Sequence, residues 1–292
     1  MKKRSAKHSK LLLSFAALFM RWAMMFIVIF SLITLIDLIS SGNGRGGSVV
    51  FRIVFAAVGS VIVNFIAYFF IIPKLNKQYG VFRKILMRIA ESGYSGDIIA
   101  QMEEQLRVCQ SEPQKYTPYI NQYAMFLAEA YLSLQEYNKA EEKLKIADMD
   151  FMEQQANNPN SLPAQHNIVM LCVLWAQFYS AIGEKSKVED QLRFSEKYFS
   201  KYRGMNEITD YFIDTAYFES LMIHGQYDNA IKLLDKYASD EQLIFGVCLD
   251  KARCLMKMDR KDEAEALFDK AHDLATNDWR RKTVELERIK NI

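Results

Sequence analysis

Two stretches near the C-terminal end of the chain share one pattern: GQYDNAIKLLDKYA at residues 225–238 and DRKDEAEALFDKA at residues 259–271. Each begins with a turn residue, has an alanine five residues later and a large apolar residue four positions further on. The alanines, Ala230 and Ala264, stand thirty-four residues apart. Small and apolar residues at spacings of three and four are typical of amphipathic helices. The stretches therefore predict two copies of one turn-and-helix unit.

Two earlier stretches follow the same pattern less closely. They are QEYNKAEEKLKIA at residues 135–147 and GEKSKVEDQLRFS at residues 183–195. Ala140 and Val188 take the small position, and the gaps between successive units are forty-eight and forty-two residues because longer loops lie between them. A recurring unit of this size predicts stacked helical hairpins.

These units resemble tetratricopeptide repeats. The family pattern has a small residue and an aromatic residue in the first helix, then G-x-Y-x-x-A and a phenylalanine-like residue in the second. The third unit keeps Gly225, Tyr227 and Ala230, whereas Gln135 replaces the glycine in the first. The resemblance covers about residues 115–275 and implies an α-solenoid, in which alanines let paired helices approach closely. The alternative is an irregular all-α domain with coincidental alanine spacing.

Two segments flank the repeats. Residues 73–114 are predicted to be a linker and a helix pair that caps the start of the stack. Residues 276–292 are predicted to form a polar capping helix, which solenoids need over their last apolar face.

The first ninety residues differ sharply from the rest of the chain. They carry thirteen Lys or Arg against one acid, whereas residues 91–292 carry twenty-four bases and thirty-four acids. Within residues 22–72, the runs from Trp22 to Ile39 and from Ile53 to Ile72 are long enough to cross a bilayer. We therefore expect two transmembrane helices, with the protein contacting the lipid bilayer.

The glycine-rich loop SSGNGRGGS at residues 40–48 joins the two runs. Its glycines fit G-x-G-x-x-G, but no acid follows within the required distance and the flanks are uniformly apolar, so we interpret it as a turn. Residues 1–21, read as a basic tail and juxtamembrane segment, and the bases after residue 72 predict that both termini are cytoplasmic. The predicted location is a plasma (inner) membrane, although the sequence leaves an organelle membrane open.

Polar residues interrupt the apolar runs. Asp37 and Arg52 stand symmetrically about the loop, and we expect them to pair at one membrane depth. Asn64, near small residues at 56–60, suggests close helix packing within the hairpin or between copies, so a homo-oligomer through these helices is a hypothesis.

No motif in the chain points to chemistry. The sequence has no P-loop, no G-x-S-x-G and no H-E-x-x-H, and its four cysteines form no C-x-x-C pair. We therefore expect no enzymatic activity, no cofactor and no metal. The basic N-terminus lacks interleaved aromatic residues, so we also expect no nucleic-acid partner.

The remaining expectation is protein binding. The resemblance implies a concave surface, formed by the first helices of the hairpins, that engages proteins or peptides. On the family pattern the inward-facing positions are Gln122, Met125, Glu129, Gln177, Glu219, Met222, Arg253 and Lys257. Chaperone-binding members use a basic clamp, but Glu129, Gln177 and Glu219 occupy the matching helix position here, so the clamp is not supported.

The sequence thus predicts an all-α protein with an N-terminal transmembrane helical hairpin followed by a TPR-like α-solenoid. We expect a membrane-anchored scaffold or adaptor. One alternative is a small channel or transporter subunit whose two-helix hairpin is regulated by the repeats. An enzyme with an unrecognised site is a third reading, which the lack of a convergent set of catalytic residues disfavours.

Overall fold

The computed structural model describes residues 29–30, 77–158 and 161–291. By its contacts the chain divides into two compact units, Met1–Val81 and Phe82–Ile292. The described part of the second unit is helical with short turns and contains no strand. An all-α fold is what the sequence predicts.

The predicted membrane features lie outside the described residues. These are the basic tail, both apolar runs apart from residues 29–30, the loop at 40–48, the pair of Asp37 with Arg52, and Asn64. None of the helices in the described residues combines the length and apolarity needed to cross a bilayer.

Twelve α-helices lie in the described residues 77–158 and 161–291. They are α1 (Lys77–Ser92), α2 (Gly96–Gln110), α3 (Pro113–Ser133), α4 (Tyr137–Ile146), α5 (Met149–Ala156), α6 (Leu162–Ala181), α7 (Lys185–Tyr202), α8 (Glu207–Ile223), α9 (Tyr227–Leu234), α10 (Ile244–Lys257), α11 (Lys261–Leu274) and α12 (Asp278–Asn291). A 3₁₀ turn, Asp235–Tyr237, follows α9.

Four helix pairs correspond to the four sequence units: α3–α4, α6–α7, α8–α9 and α10–α11, each packed as a hairpin. We call these hairpins 1 to 4, and α1–α2 the leading pair. The first helices of successive hairpins also touch, since α6 contacts both α3 and α8. The result is a TPR-like stack.

One backbone feature recurs in every pair. A residue one or two positions after the end of the first helix has a positive φ: Gln135, Gly183, Gly225 and Asp259 in hairpins 1 to 4, and Gly93 in the leading pair. This left-handed conformation closes a helix and reverses the chain. Gln135 therefore takes the place of the family glycine in structure as well as in sequence, and the leading pair uses the same turn.

The small residues of the pattern lie in the interior of the hairpins. Ala140, Val188, Ala230 and Ala264 are all fully buried. The large apolar positions that follow them are buried at Leu144, Leu234 and Phe268, whereas Leu192 is only half-buried. Small side chains are thus buried within the hairpins, where they allow paired helices to pack closely.

The longer loop between hairpins 1 and 2 contains a helix of its own, α5, which the sequence analysis missed. Asp148 caps it by accepting a hydrogen bond from the Phe151 amide at 2.9 Å. The Asp148 amide in turn donates to the Asn121 side chain of α3 at 2.8 Å. The second bond attaches the insertion to hairpin 1.

The last helix, α12, packs on hairpin 4, contacting both α10 and α11. Val284 is buried in the same core as Phe268. The helix also reaches the other end of the stack, because the Trp279 ring lies edge-on to Tyr94 at a centroid distance of 5.6 Å. The start and the end of the solenoid therefore meet.

Candidate interaction surface

The concave side of the stack holds a cavity, which we call the channel. It has a volume of about 540 Å³, within the range of ligand-binding cavities. Its wall includes residues from α1, α3, α6, α8, α10 and α12, which are the first helices of the pairs together with the final helix. No second helix of a hairpin lines it.

Aromatic side chains make up much of this wall. Phe126, Phe212 and Phe245 face the channel. The Arg280 guanidinium lies 4.8 Å from the centre of the Phe245 ring, a distance at which the cation and the ring attract each other. A Cβ atom at Gly246 would lie 2.3 Å from the Tyr211 hydroxyl oxygen, so glycine lets that hydroxyl approach α10.

Glu129 is the acid that α3 contributes to the wall. It accepts a hydrogen bond from the Tyr94 hydroxyl at 2.6 Å. Burial raises the pKa of both groups, and the hydrogen bond from Tyr94 only partly offsets this for Glu129. The bond ties the turn of the leading pair to hairpin 1.

His166 is a half-buried polar residue on α6 in the same wall. Its ring packs edge-on to Phe212 at 5.3 Å, and its Nδ1 lies 3.4 Å from the Thr209 hydroxyl. Burial lowers the pKa of His166, which favours the neutral ring at neutral pH.

An ion cluster joins three of the same helices. Arg253 of α10 pairs with Glu219 of α8 at 2.9 Å, with Asp250 at 2.9 Å and with Glu287 of α12 at 3.6 Å. We call these four residues the Arg253 cluster. Burial raises the pKa of Asp250 to about 6, with Arg253 opposing and Glu219 adding to the shift.

The predicted inward-facing residues do not form one patch. Glu219 and Arg253 are brought together in the ion cluster, and Glu129 lines the channel. Gln122 lines a separate small pocket between α3, α5 and α6, and Met125 is buried. Of these five residues Glu129 alone lines the channel, so the family pattern predicts the channel wall only in part.

The other three candidates lie elsewhere. Met222 packs in the core of hairpins 3 and 4, with its sulfur 3.1 Å from Cys254 Sγ. Gln177 is half-buried on α6, and Lys257 is exposed at the end of α10. None of the three is among the residues that line the channel.

Sequence reasoning missed the parts of the wall that come from outside the repeats. Tyr94 and Trp279 belong to the leading pair and to α12, which the repeat pattern does not cover. Trp279 could have been recognised in the sequence, because it is the one aromatic residue in a mostly polar helix. Such a residue is expected to pack against something.

Comparison with known proteins supports the interpretation of the helix pairs as tetratricopeptide-like repeats. The tetratricopeptide repeat family matches the chain over residues 221–281, which run from the end of α8 to the start of α12. No curated protein and no solved structure matches the chain. The chain is thus similar to tetratricopeptide repeat proteins over hairpin 4 and its neighbours.

Proposed function

We propose that this protein is a scaffold or adaptor that binds a segment of another protein in its concave channel. The supporting observation is the channel wall, which the first helices of the pairs provide in turn. Tetratricopeptide repeats of this kind suggest protein–protein interaction, and the family match falls within the stack. Aromatic side chains with a few polar groups among them are typical of a site that holds a ligand in one orientation.

Site-specific photo-crosslinking of the full-length protein tests this function. A photoreactive residue in place of Met170, which faces the channel on α6, should yield an adduct with one discrete protein. The same residue in place of Phe194, which is exposed on α7, should not. Equal adducts from both positions, or none from position 170, would contradict binding in the channel.

We further propose that residues 22–72 anchor the scaffold in a plasma (inner) membrane, with both termini cytoplasmic. The support is the sequence pattern: two apolar runs of spanning length, with bases concentrated on the flanks. In this arrangement the acidic repeat domain would hold its partner at the membrane surface.

An introduced thiol tests the orientation. The native cysteines are all buried, so a cysteine in place of Glu285, which is exposed on α12, is the better reporter. An impermeant maleimide should label it only after the cells are opened. Labelling in intact cells would reverse the proposed topology.

A further inference from the structure

Arg280 of α12 differs from most of the described arginines in having no acidic partner. Eight of the ten arginines in the described residues form an ion pair with a carboxylate. The other two are Arg83, which is exposed, and Arg280, which is half-buried in the channel wall. Removing a charge from water costs free energy unless a partner compensates for it. A half-buried arginine without an acid is therefore a candidate binding group.

The Phe245 ring contacts the Arg280 guanidinium at the wall. The guanidinium lies over the ring, 4.8 Å from its centre, and both residues line the channel. The Arg280 backbone amide donates to the Asn277 side chain at 3.0 Å, but no oxygen atom within residues 77–158 and 161–291 accepts a hydrogen bond from the guanidinium. The aromatic contact thus positions the cation and leaves its N–H donors to a ligand.

The other ionisable side chains of the wall leave the charge of Arg280 unopposed. Glu129 accepts the hydrogen bond from Tyr94 at 2.6 Å, and burial raises its pKa more than this bond lowers it. Burial lowers the pKa of His166, which favours its neutral form. Arg280 is the one Lys or Arg among the described residues that line the channel. Because a guanidinium stays protonated, the wall carries one permanent positive charge.

A single cation of this kind fits a carboxylate better than a phosphate. A phosphate group carries about −1.5 to −2 charges at neutral pH and is commonly held by a cluster of arginines. A carboxylate carries one charge, and its two oxygens match the paired N–H groups of a guanidinium. The chemistry of the wall therefore points to a ligand with one carboxylate near Arg280.

A carboxylate on a protein belongs either to a side chain or to the end of the chain. Family members that bind a terminal carboxylate use a basic clamp, whereas Glu129, Gln177 and Glu219 occupy the matching position here. Arg280 lies on α12, outside hairpins 1 to 4. An acidic side chain can reach it from a segment that does not end in the channel. These positions favour a side chain.

We propose that Arg280, held against Phe245, binds the carboxylate of an aspartate or glutamate side chain of the partner in the channel. The proposal rests on the proposed function for the partner, but the preference of the channel for a negative charge can be measured without one. It gives the partner segment a defined chemistry at one position.

The first test measures which sign of charge the channel favours in the full-length protein. Met170→Cys introduces a thiol into the channel wall. This thiol is treated with two methanethiosulfonates of similar size, one with a sulfonate and one with a trimethylammonium group. The ratio of the two rates, divided by the same ratio for a free thiol in solution, reports the local charge. The native cysteines are buried and should not react.

We expect Arg280→Met to lower this ratio at least about fivefold, because it removes a unit charge from the wall. Arg280→Lys keeps the charge and should keep the ratio. The matched control is Arg281→Met, on the next residue, which is exposed and pairs with Asp278 at 2.7 Å. It should change the ratio less than about twofold, since an exposed charge is screened by water. A ratio that Arg280→Met leaves unchanged would overturn the proposal, and reaction of the native thiols in that variant would count against it.

The second test distinguishes a side-chain carboxylate from a terminal one. Three compounds are added at millimolar concentration and equal ionic strength while a small maleimide labels the introduced thiol. They are N-acetyl-glutamate α-methylamide, N-acetyl-glutamine methylamide and N-acetyl-glutamine with a free terminal carboxylate. The first should slow labelling, and the other two should not. Arg280→Met should abolish this protection, Arg280→Lys should weaken it because lysine lacks the planar donor fork, and Arg281→Met should keep it.

Other patterns of protection would contradict the proposal. Protection by the terminal carboxylate alone would assign Arg280 to the end of a chain, and equal protection by the neutral compound, or none by any, would remove the carboxylate site. Photo-crosslinking at position 170 separates these results from the proposed function. A discrete adduct without any effect of Arg280 would leave binding in the channel standing and overturn the carboxylate. Protection without an adduct would support the carboxylate site and remove the protein partner.

Discussion

Helix α8 buries a carboxylate on each of two faces. The two faces differ in the balance of positive and negative side chains around the carboxylate. Asp214 and Glu219 are 2% and 5% exposed. Five residues apart on a helix, they point in different directions. Asp214 faces the residues that follow α7 and α9, whereas Glu219 faces α6 and α10.

Around Asp214 the cations outnumber the acid. Arg203 pairs with it at 2.9 Å, Lys236 at 2.5 Å, and the Tyr237 hydroxyl donates to it at 2.7 Å. Both cations are partly exposed. We call these four residues the Asp214 cluster. If one cation is removed, the carboxylate still has a counter-charge.

Around Arg253 the acids outnumber the cation. The Arg253 side chain, which is 20% exposed, forms ion pairs with three carboxylates: Glu219, Asp250 and Glu287. Burial alone would lower the pKa of Arg253, but the three carboxylates outweigh it and hold the pKa above its ordinary value. The comparison predicts that loss of one cation is tolerated around Asp214, whereas the carboxylates around Arg253 share a single cation.

The largest effect is expected from Arg253→Met. This change leaves three carboxylates without their cation, and breaking a buried ion pair costs about 3–5 kcal/mol. The free energy of unfolding from urea titration at pH 8 should fall by about that amount. The control, Arg203→Met in the Asp214 cluster, should cost about 1 kcal/mol or less because Lys236 remains. Equal losses would mean that the two faces of α8 do not differ.

A smaller loss is expected from Asp214→Ala. It leaves the Tyr237 hydroxyl without its buried acceptor, and hydrogen bonds to charged groups contribute about 1.5–3 kcal/mol. Asp190→Ala is the matched control, because the Asp190 side chain is 61% exposed. Among the described residues, its ion pair is with Arg193 of the same helix. Urea unfolding should show a loss near zero for the control. A loss below about 0.5 kcal/mol for Asp214→Ala would show that the hydroxyl finds another partner.

Asp250→Asn is expected to change stability in the opposite direction. Its folded-state pKa of about 6 lies above its ordinary value of 3.8, so the folded protein binds the extra proton between those values. This group's contribution to stability is therefore present at low pH and is lost as the pH rises through about 6. The variant, which cannot ionise, should be more stable than the parent by about 1–3 kcal/mol at pH 8. The gain should vanish near pH 4.

Thermal unfolding from pH 4 to pH 8 measures this crossover. Asp228→Asn, an exposed aspartate on α9, serves as the control and should give parallel curves. A gain from Asp250→Asn that is the same at every pH would mean that ionisation of Asp250 is not its cause.

The repeats could be predicted because their signal is local. Ala230 and Ala264 mark the helix crossings within thirty-four residues of each other, and both are fully buried. The turn at Gln135 kept its left-handed conformation although the family glycine is missing. Small and apolar residues at helical spacing can be recognised in a single sequence.

The contacts between α12 and the start of the stack could not be predicted because they join distant parts of the chain. Tyr94 and Trp279 are separated by most of the described residues, and neither lies in hairpins 1 to 4. The predicted inward-facing residues lie in different places for a related reason. Met125 is buried and Met222 packs against the core of hairpins 3 and 4, because the way each helix faces depends on how successive hairpins pack.

The smallest effect is expected from Ser180→Ala on α6. The hydroxyl donates to Glu219 at 2.6 Å and so takes part of the charge that Arg253 otherwise neutralises alone. Urea unfolding should show a loss of about 1 kcal/mol, and Ser200→Ala, whose hydroxyl bonds the exposed Glu196, should show close to none. Because both groups act on one carboxylate, the loss should be larger in the Arg253→Met background than in the parent. Additive losses would mean that Ser180 and Arg253 stabilise Glu219 independently, and that this face of α8 has a second partner after all.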